Sequence, residues 1–427
     1  MRTTRGPLRR LIPLGFFILF FKVGASLHYA LLPALGERVL PTAMVGMLIA
    51  AEAFGQLLLD VPAGFILDRF GYRRLLGVTT VAFMVTASVL LFGLTPWTFV
   101  ATVALCLFGW LFFDPGINAY VLSEIPSAFA GRAIALRDML ESAGGVIATA
   151  VIAGVLTFRA PTIGLVLLIT FLLAAIALTF VPRDRAAIRR ARDAAAPHPI
   201  TPSIPTHHYH IRRSRLPHLL RAFRRLNPAG TLLMLSGFAA STFYGVVWFS
   251  VPILIDRTQQ SGIPGIGLGI FDAAIVLLGF LFGRLADRWD HRRLVFAGLL
   301  LFAIAGTFIG FSVGIWFLVL GFLATSGDET ANIALWAWLH RLDTHHADDA
   351  AVAGAISMVQ DFGWTVGPLM AGLLFNALGP SWTITIGAIP IFLAWIASAI
   401  VLHSRPRDTA VPALANIPRL HRRRHKR

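Results

Sequence analysis

The sequence predicts an all-α membrane protein made of two six-helix bundles, related by a pseudo-two-fold axis along the membrane normal. Three observations carry this: long apolar runs, arginines confined to the segments between them, and a chain that repeats itself half-way along. Apolar residues make up 56% of the 427 and charged residues 14%. A soluble domain carries roughly 25% charge, so lipid is the expected solvent for much of this surface.

A helix needs roughly 20 mostly apolar residues to cross the hydrocarbon core. That ruler gives twelve spans: 11–35, 42–67, 75–94, 97–122, 132–157, 161–181, 229–255, 264–286, 294–313, 315–340, 351–377 and 381–402. Helices are required because lipid offers no partner to an open strand edge. The first run follows Arg2, Arg5, Arg9 and Arg10 but is too long for a cleaved leader, and reads as span 1.

Arginine placement gives the topology. Arg69, Arg73 and Arg74 follow span 2, and Arg288, Arg292 and Arg293 follow span 8. Segment 182–228 holds eleven arginines and the tail from His403 seven, whereas the other side shows Arg38, Arg159 and Arg257. Positive charge stays inside, so both termini and the central segment are expected in the cytoplasm. The net charge of +16 is therefore topological and does not indicate a nucleic-acid partner. The domains are expected as 1–181, a first bundle; 182–228, a basic linker with an amphipathic helix near 211–226; 229–402, a second bundle; and 403–427, a basic tail. One cysteine, Cys106, excludes an internal disulfide, and no metal site or cofactor is expected.

A shift of 219 residues brings Pro33 onto Pro252, Glu37 onto Asp256, Arg38 onto Arg257 and Gly46 onto Gly265. Asp114 and Asn118 meet Asp328 and Asn332 at a shift of 214, and Gly145 meets Gly367 at 222. Spans 1 and 7 start on the same side, so the repeat is parallel. The same comparison aligns GFILDRFGYRR, from Gly64 to Arg74, with GRLADRWDHRR, from Gly283 to Arg293. Each lies between the second and third spans of its half. The pair resembles the signature loop of the major facilitator superfamily, and the resemblance covers the whole chain.

Several expectations come with that resemblance. Gly64, Asp68, Arg69, Gly71 and Arg73, with Gly283, Asp287, Arg288 and Arg292, become gating loops. Asp68 and Asp287 would sit against the positive end of a helix from the opposite half and hold the inside closed. The resemblance also implies a bacterial inner-membrane, multi-pass protein. Departures are Tyr72 in place of a basic residue, Asp290 in place of glycine, and a Gly-Pro pattern (Gly363, Gly367, Pro368, Gly372) in span 11 rather than span 5.

Ionisable groups deep in a span face a cavity or a partner. Helical spacing groups Lys22, Ser26 and Tyr29 on span 1, Trp110, Asp114 and Asn118 on span 4, Tyr244 and Trp248 on span 7, and Asp328, Asn332 and Trp336 on span 10. In the family these four spans surround the pathway. Lys22, one of two lysines, is expected to pair with Asp114 or Glu52, or to bind an anionic group on the solute. Arg137 and Glu141 are one turn apart on span 5. Glu52, Asp272 and Asp361 lie on spans 2, 8 and 11, which flank the boundary between halves. Glu52, Glu141 and Asp361 are candidate proton carriers. No phosphate-binding GxxxxGK loop is present.

The expected function is a secondary transporter, not an enzyme, that moves a small molecule through the bilayer with protons, as a monomer. The balance leans to export of an apolar or cationic compound. Proton-driven import of an anionic or neutral metabolite, and a non-transporting sensor or assembly partner, remain open alternatives.

Overall fold

A computed structural model describes residues 11–124, 130–152, 159–182, 228–258, 263–342 and 349–403. The expected amphipathic helix of the linker and the basic tail lie outside them. Among the described residues every regular element is a helix. Span 1 is Leu11–Glu37, span 2 Thr42–Phe70, span 3 Tyr72–Leu91 and span 6 Ala160–Phe180. Span 7 is Pro228–Thr258, span 8 Ile263–Arg288, span 9 His291–Ile309 and span 10 Ile315–Leu342. Among the described residues nine helices are long and apolar enough to cross a membrane, and one of these, Ile356–Val401, is long enough for two passes. Spans 5 and 10 are not among the nine. They carry Arg137 with Glu141 and Asp328 with Glu329, which lower their hydropathy.

Spans 4, 5, 11 and 12 depart from simple rods. Span 4 was expected unbroken, but it runs Pro96–Trp110, pauses, and resumes as Phe113–Glu124. Pro115 has no N–H to donate to Leu111, so the ladder fails there. Span 5 is Ala130–Val146 followed by a π-helical stretch, Ile147–Ile152. Spans 11 and 12 form one continuous run, Asp349–Gly387, bent at Gly379 (φ 78°) before Pro380, and the last helix completes span 12 over Ile389–His403.

The two signature loops turn by different chemistry. Gly71 takes φ 87° and its N–H bonds to the Leu67 carbonyl, at 3.0 Å, so span 2 passes directly into span 3. Only glycine adopts that conformation without strain. In the second copy Asp290 keeps φ −65°, and its side chain accepts from the Arg292 N–H as an N-cap. The replacement of glycine is thus compensated by a cap.

Packing divides unequally between the two ends. One core belongs to the first half and contains Phe17, Phe21, Phe83, Phe113 and Phe171. A second, around Leu232, Leu294, Leu335 and Trp338, belongs to the other half at the end that carries the arginine-rich loops. At the opposite end one core is shared: Leu32, Val45, Ile49 and Phe99 pack with Phe243, Val246, Phe249 and Phe375. Among the described residues the halves share a core at one end, and the cores at the other end each belong to one half. Glycines make the tight contacts. A Cβ on Gly46 would lie 2.7 Å from Gly372 Cα, and one on Gly367 2.6 Å from the Thr242 carbonyl, so span 11 touches spans 2 and 7 backbone to backbone. Large apolar side chains such as Leu58, Phe108, Leu172, Phe280 and Phe308 face outward, as lipid requires.

Candidate transport cavity

A cavity of about 450 Å³ lies where the halves meet, with walls from spans 1, 2, 4, 5, 7, 8, 10 and 11. Its polar lining includes Lys22, Glu52, Asp114, Glu141, Asp272, Glu329 and Asp361, and its aromatic lining Tyr29, Trp110, Tyr244, Trp248, Phe271 and Trp364.

The first half contributes a chain of charges. Lys22 Nζ lies 3.0 Å from Glu141 Oε2. Arg137 also holds Glu141 through Nε, and its other nitrogen reaches Asp114 Oδ1 at 2.9 Å. Two cations and two carboxylates from spans 1, 4 and 5 therefore compensate one another, with Lys22, Arg137 and Glu141 largely buried and Asp114 half-exposed. Gly144 makes this possible, because a Cβ there would come within 2.7 Å of Lys22 Cβ. The Lys22 ammonium also sits 5.0 Å from the Trp110 ring and 5.3 Å from Phe113. Its partner is Glu141, neither Asp114 nor Glu52: Asp114 is held by Arg137, and Glu52 accepts from Gln56 one turn along span 2. Behind this wall His28 and Cys106 face each other at 2.9 Å, both buried.

The second half differs. Tyr244 donates to Asp328 Oδ2 at 3.0 Å, which places Asp328 behind the wall while its neighbour Glu329 lines it. Asn332 and Trp336, expected on the same face, are off the wall, and Trp336 is 38% exposed. The side chain of Asn118 lies outside the described residues. Gln56, Ser142, Phe271, Thr325 and Trp364 line the cavity without having been anticipated. Trp364 had a signal: it stands one turn from Asp361.

The end with the shared core is sealed in two layers. Tyr29 and Trp248 are equivalent under the 219-residue shift, and their rings meet at 6.2 Å, with Trp364 6.0 Å from Tyr29. About 12 Å further along, eight residues at 1.5 Å each, come the equivalent pairs Glu37–Arg38 and Asp256–Arg257. They bond reciprocally: Arg38 Nε to Asp256 Oδ2 at 3.0 Å, and Arg257 Nε to Glu37 Oε2 at 3.0 Å. Arg257 also donates to Asn376 at 3.0 Å, and Thr42 donates to Glu37 at 2.5 Å. The Glu37 hydrogen bond raises the pKa of Arg257 above its ordinary value, so this guanidinium stays charged. Pro33 and Pro252 sit between the layers. Each lacks the N–H that would bond the carbonyl four residues earlier, that of Tyr29 and of Trp248 respectively. Both spans can flex there.

At the opposite end the side chains of Asp68 and Asp287 lie outside the described residues, as do the surroundings of Gly64 and Gly283. Arg73 donates to the Thr179 carbonyl at 2.9 Å, and Arg292 lies 5.6 Å over the Trp338 ring. Each of these contacts stays within its own half. Arg69 and Arg288 are exposed.

The sequence matches the family described as Major Facilitator Superfamily over residues 14–274 and again over 233–421. The chain belongs to the major facilitator superfamily. No curated protein matches the sequence. Solved structures do. The nucleoside transporter NupG is similar at TM-score 0.69 and 13% identity, covering 91% of this chain and 99% of that one. A bacterial homologue of the human lysosomal transporter Spinster, inward-facing and unoccupied, gives TM-score 0.68 and 14% identity, covering 95% and 100%. The human organic anion transporter MFSD10 (TETRAN) gives 0.59 and 17%, covering 92% and 100%. At these identities the likeness shows the fold. The protein is a multi-pass secondary transporter of this superfamily, not an enzyme.

Proposed function

We propose that the chain is a proton-coupled transporter of a bacterial inner membrane, working by alternating access as a monomer with both termini in the cytoplasm, and leaning to export of an apolar or cationic compound. The observation that carries this reading is a cavity between the halves, sealed at one end and lined by six carboxylates against one lysine. Under the topology above, the sealed end faces outward and the cavity opens to the cytoplasm.

Glu141 is the best-placed proton carrier. As a carboxylate it holds both Lys22 and Arg137. A proton on Glu141 would cancel that attraction and leave two cations facing each other, so spans 1 and 5 would gain a reason to separate. Glu52 and Asp361 are the further candidates. Opening of the outer end requires the reciprocal pairs at Glu37–Arg257 and Arg38–Asp256 to break, with Pro33 and Pro252 as flexing points. Import of an anion finds support in Lys22, but that ammonium is already engaged by Glu141.

The test uses purified protein in liposomes with an imposed pH gradient and a panel holding an organic cation, an organic anion and a nucleoside. The expected result is gradient-dependent flux of a panel member, abolished in Lys22→Ala, Glu141→Gln and Asp361→Asn. Full coupled flux in all three variants would reject these residues as the pathway. Flux that ignores the gradient would reject proton coupling.

A further inference from the structure

The cavity contains an internal example of how it holds a cation. In the first half the Lys22 ammonium rests between a carboxylate, Glu141 at 3.0 Å, and an aromatic face, Trp110 at 5.0 Å. The residue equivalent to Lys22 under the 219-residue shift is Ser241. The second half thus brings no ammonium of its own. Among the described residues its wall of the cavity has Asp272, Glu329 and Asp361, with Tyr244, Trp248, Phe271 and Trp364, and no lysine, arginine or histidine.

These side chains line one cavity. Asp361 and Trp364 are three residues apart on span 11 and share a face. Trp364 and Trp248 both meet the Tyr29 ring, at 6.0 and 6.2 Å. All three rings are half-buried and line the cavity. Carboxylates beside aromatic faces are the surroundings that select an ammonium over a neutral body or an anion. A bare metal ion fits poorly, since it needs several oxygen ligands in place of rings, and the described residues hold no cluster of metal-binding side chains.

We propose that the transported solute is an organic ammonium, and that its cationic head binds on the second-half wall between Asp361, Glu329 and the rings of Trp364, Trp248 and Tyr29. It occupies there the role that Lys22 fills opposite. This rests on the transporter reading above. The Tyr29 contact also ties the head group to both halves, so the bound cation touches the surfaces that must part when the outer end opens.

Binding is measured on detergent-purified full chain by tryptophan fluorescence and thermal shift. The probes are tetramethylammonium, benzyltrimethylammonium and tetrabutylammonium, with neopentylbenzene as the uncharged isostere of the second and benzoate as an anion. At least one ammonium is expected to bind saturably, and ten-fold or more tighter than the isostere and benzoate. Asp361→Asn and Trp364→Leu are each expected to weaken it about ten-fold, while Trp97→Leu, at an exposed position outside the cavity, leaves it unchanged. The unliganded melting temperature of each variant identifies misfolding, and Glu329→Gln serves as a second carboxylate test. Absence of saturable binding by all three ammonium probes overturns the proposal, as does equal binding of the isostere or benzoate. Ammonium binding without flux under any gradient would leave this site standing and sink the transport reading. Flux of an anion that no ammonium inhibits would do the reverse.

Discussion

Two helix pairs occupy equivalent places in the halves and are built differently. Spans 1 and 5 meet through Lys22, Glu141 and Arg137. Under the shifts that align the repeat, these positions become Ser241, Gly363 and Val359 on spans 7 and 11. There the contact is steric: a Cβ on Gly363 would lie 2.8 Å from Ser241 Cβ and 2.7 Å from the Phe238 carbonyl. Both pairs approach closely at a glycine, Gly144 in one and Gly363 in the other, but only spans 1 and 5 add an ion-pair network to that contact. The symmetric scaffold is thus asymmetric at this contact, with an ion-pair network in the first half and small uncharged residues in the second.

The strongest way to break this contrast is to remove Glu141. Glu141→Ala leaves Lys22 and Arg137, both largely buried, facing each other, and is expected to lower stability by about 3 kcal/mol. The double variant Lys22→Met with Glu141→Leu replaces the pair with apolar volume and should recover most of that loss while remaining inactive. Thermal unfolding of the singles and the double closes the cycle. An additive double variant would show that the two residues do not act as a pair.

Next comes the steric pair. Gly367→Val forces a side chain against the Thr242 carbonyl and the Gly245 backbone, at a cost of about 2 kcal/mol. At the equivalent Gly145 an added Cβ meets the Asp272 carboxylate, a side chain that can move aside. Gly145→Ala should therefore cost less stability than Gly367→Val, as read by melting temperature. The reverse order would contradict the reading that Gly367 packs against fixed backbone and Gly145 against a side chain that can yield.

The smallest effect is expected at the outer seal. Its ion pairs are partly exposed, with 48% of the Arg257 side chain accessible, and such pairs contribute about 1 kcal/mol or less. Arg257→Ala should shift the balance between open and closed outer ends by up to about five-fold. A cysteine at Ser26, in the cavity, would then react faster with an impermeant thiol reagent supplied from that side. Cys106 is buried and contributes no background. An unchanged rate would mean that the aromatic layer alone closes the path.

Spans, repeat and most cavity positions were legible because membrane helices write their faces into hydropathy and spacing. The Arg137–Glu141 pair was legible too, one turn apart on span 5, but the partner of Lys22 was not. Periodicity orders residues around one helix but leaves open how far each helix is rotated toward its neighbours, so Lys22 could not be matched to Glu141 rather than Asp114. Trp336 fails for a related reason. The wall of span 10 is set by Thr325 and Glu329, and Asp328 lies on the adjoining face, so Asn332 and Trp336, placed by spacing from Asp328, fall off the wall. The break in span 4 had a signal in Pro115, which was outweighed by the apolar run around it. Trp364 escaped because it lies among apolar neighbours and stands out only beside Asp361.

The bend at Gly379 and Pro380 joins two full crossings with no intervening loop. On that face the polypeptide offers an antibody or protease almost no handle, and an epitope inserted between the two residues would have to prise apart helices that emerge side by side.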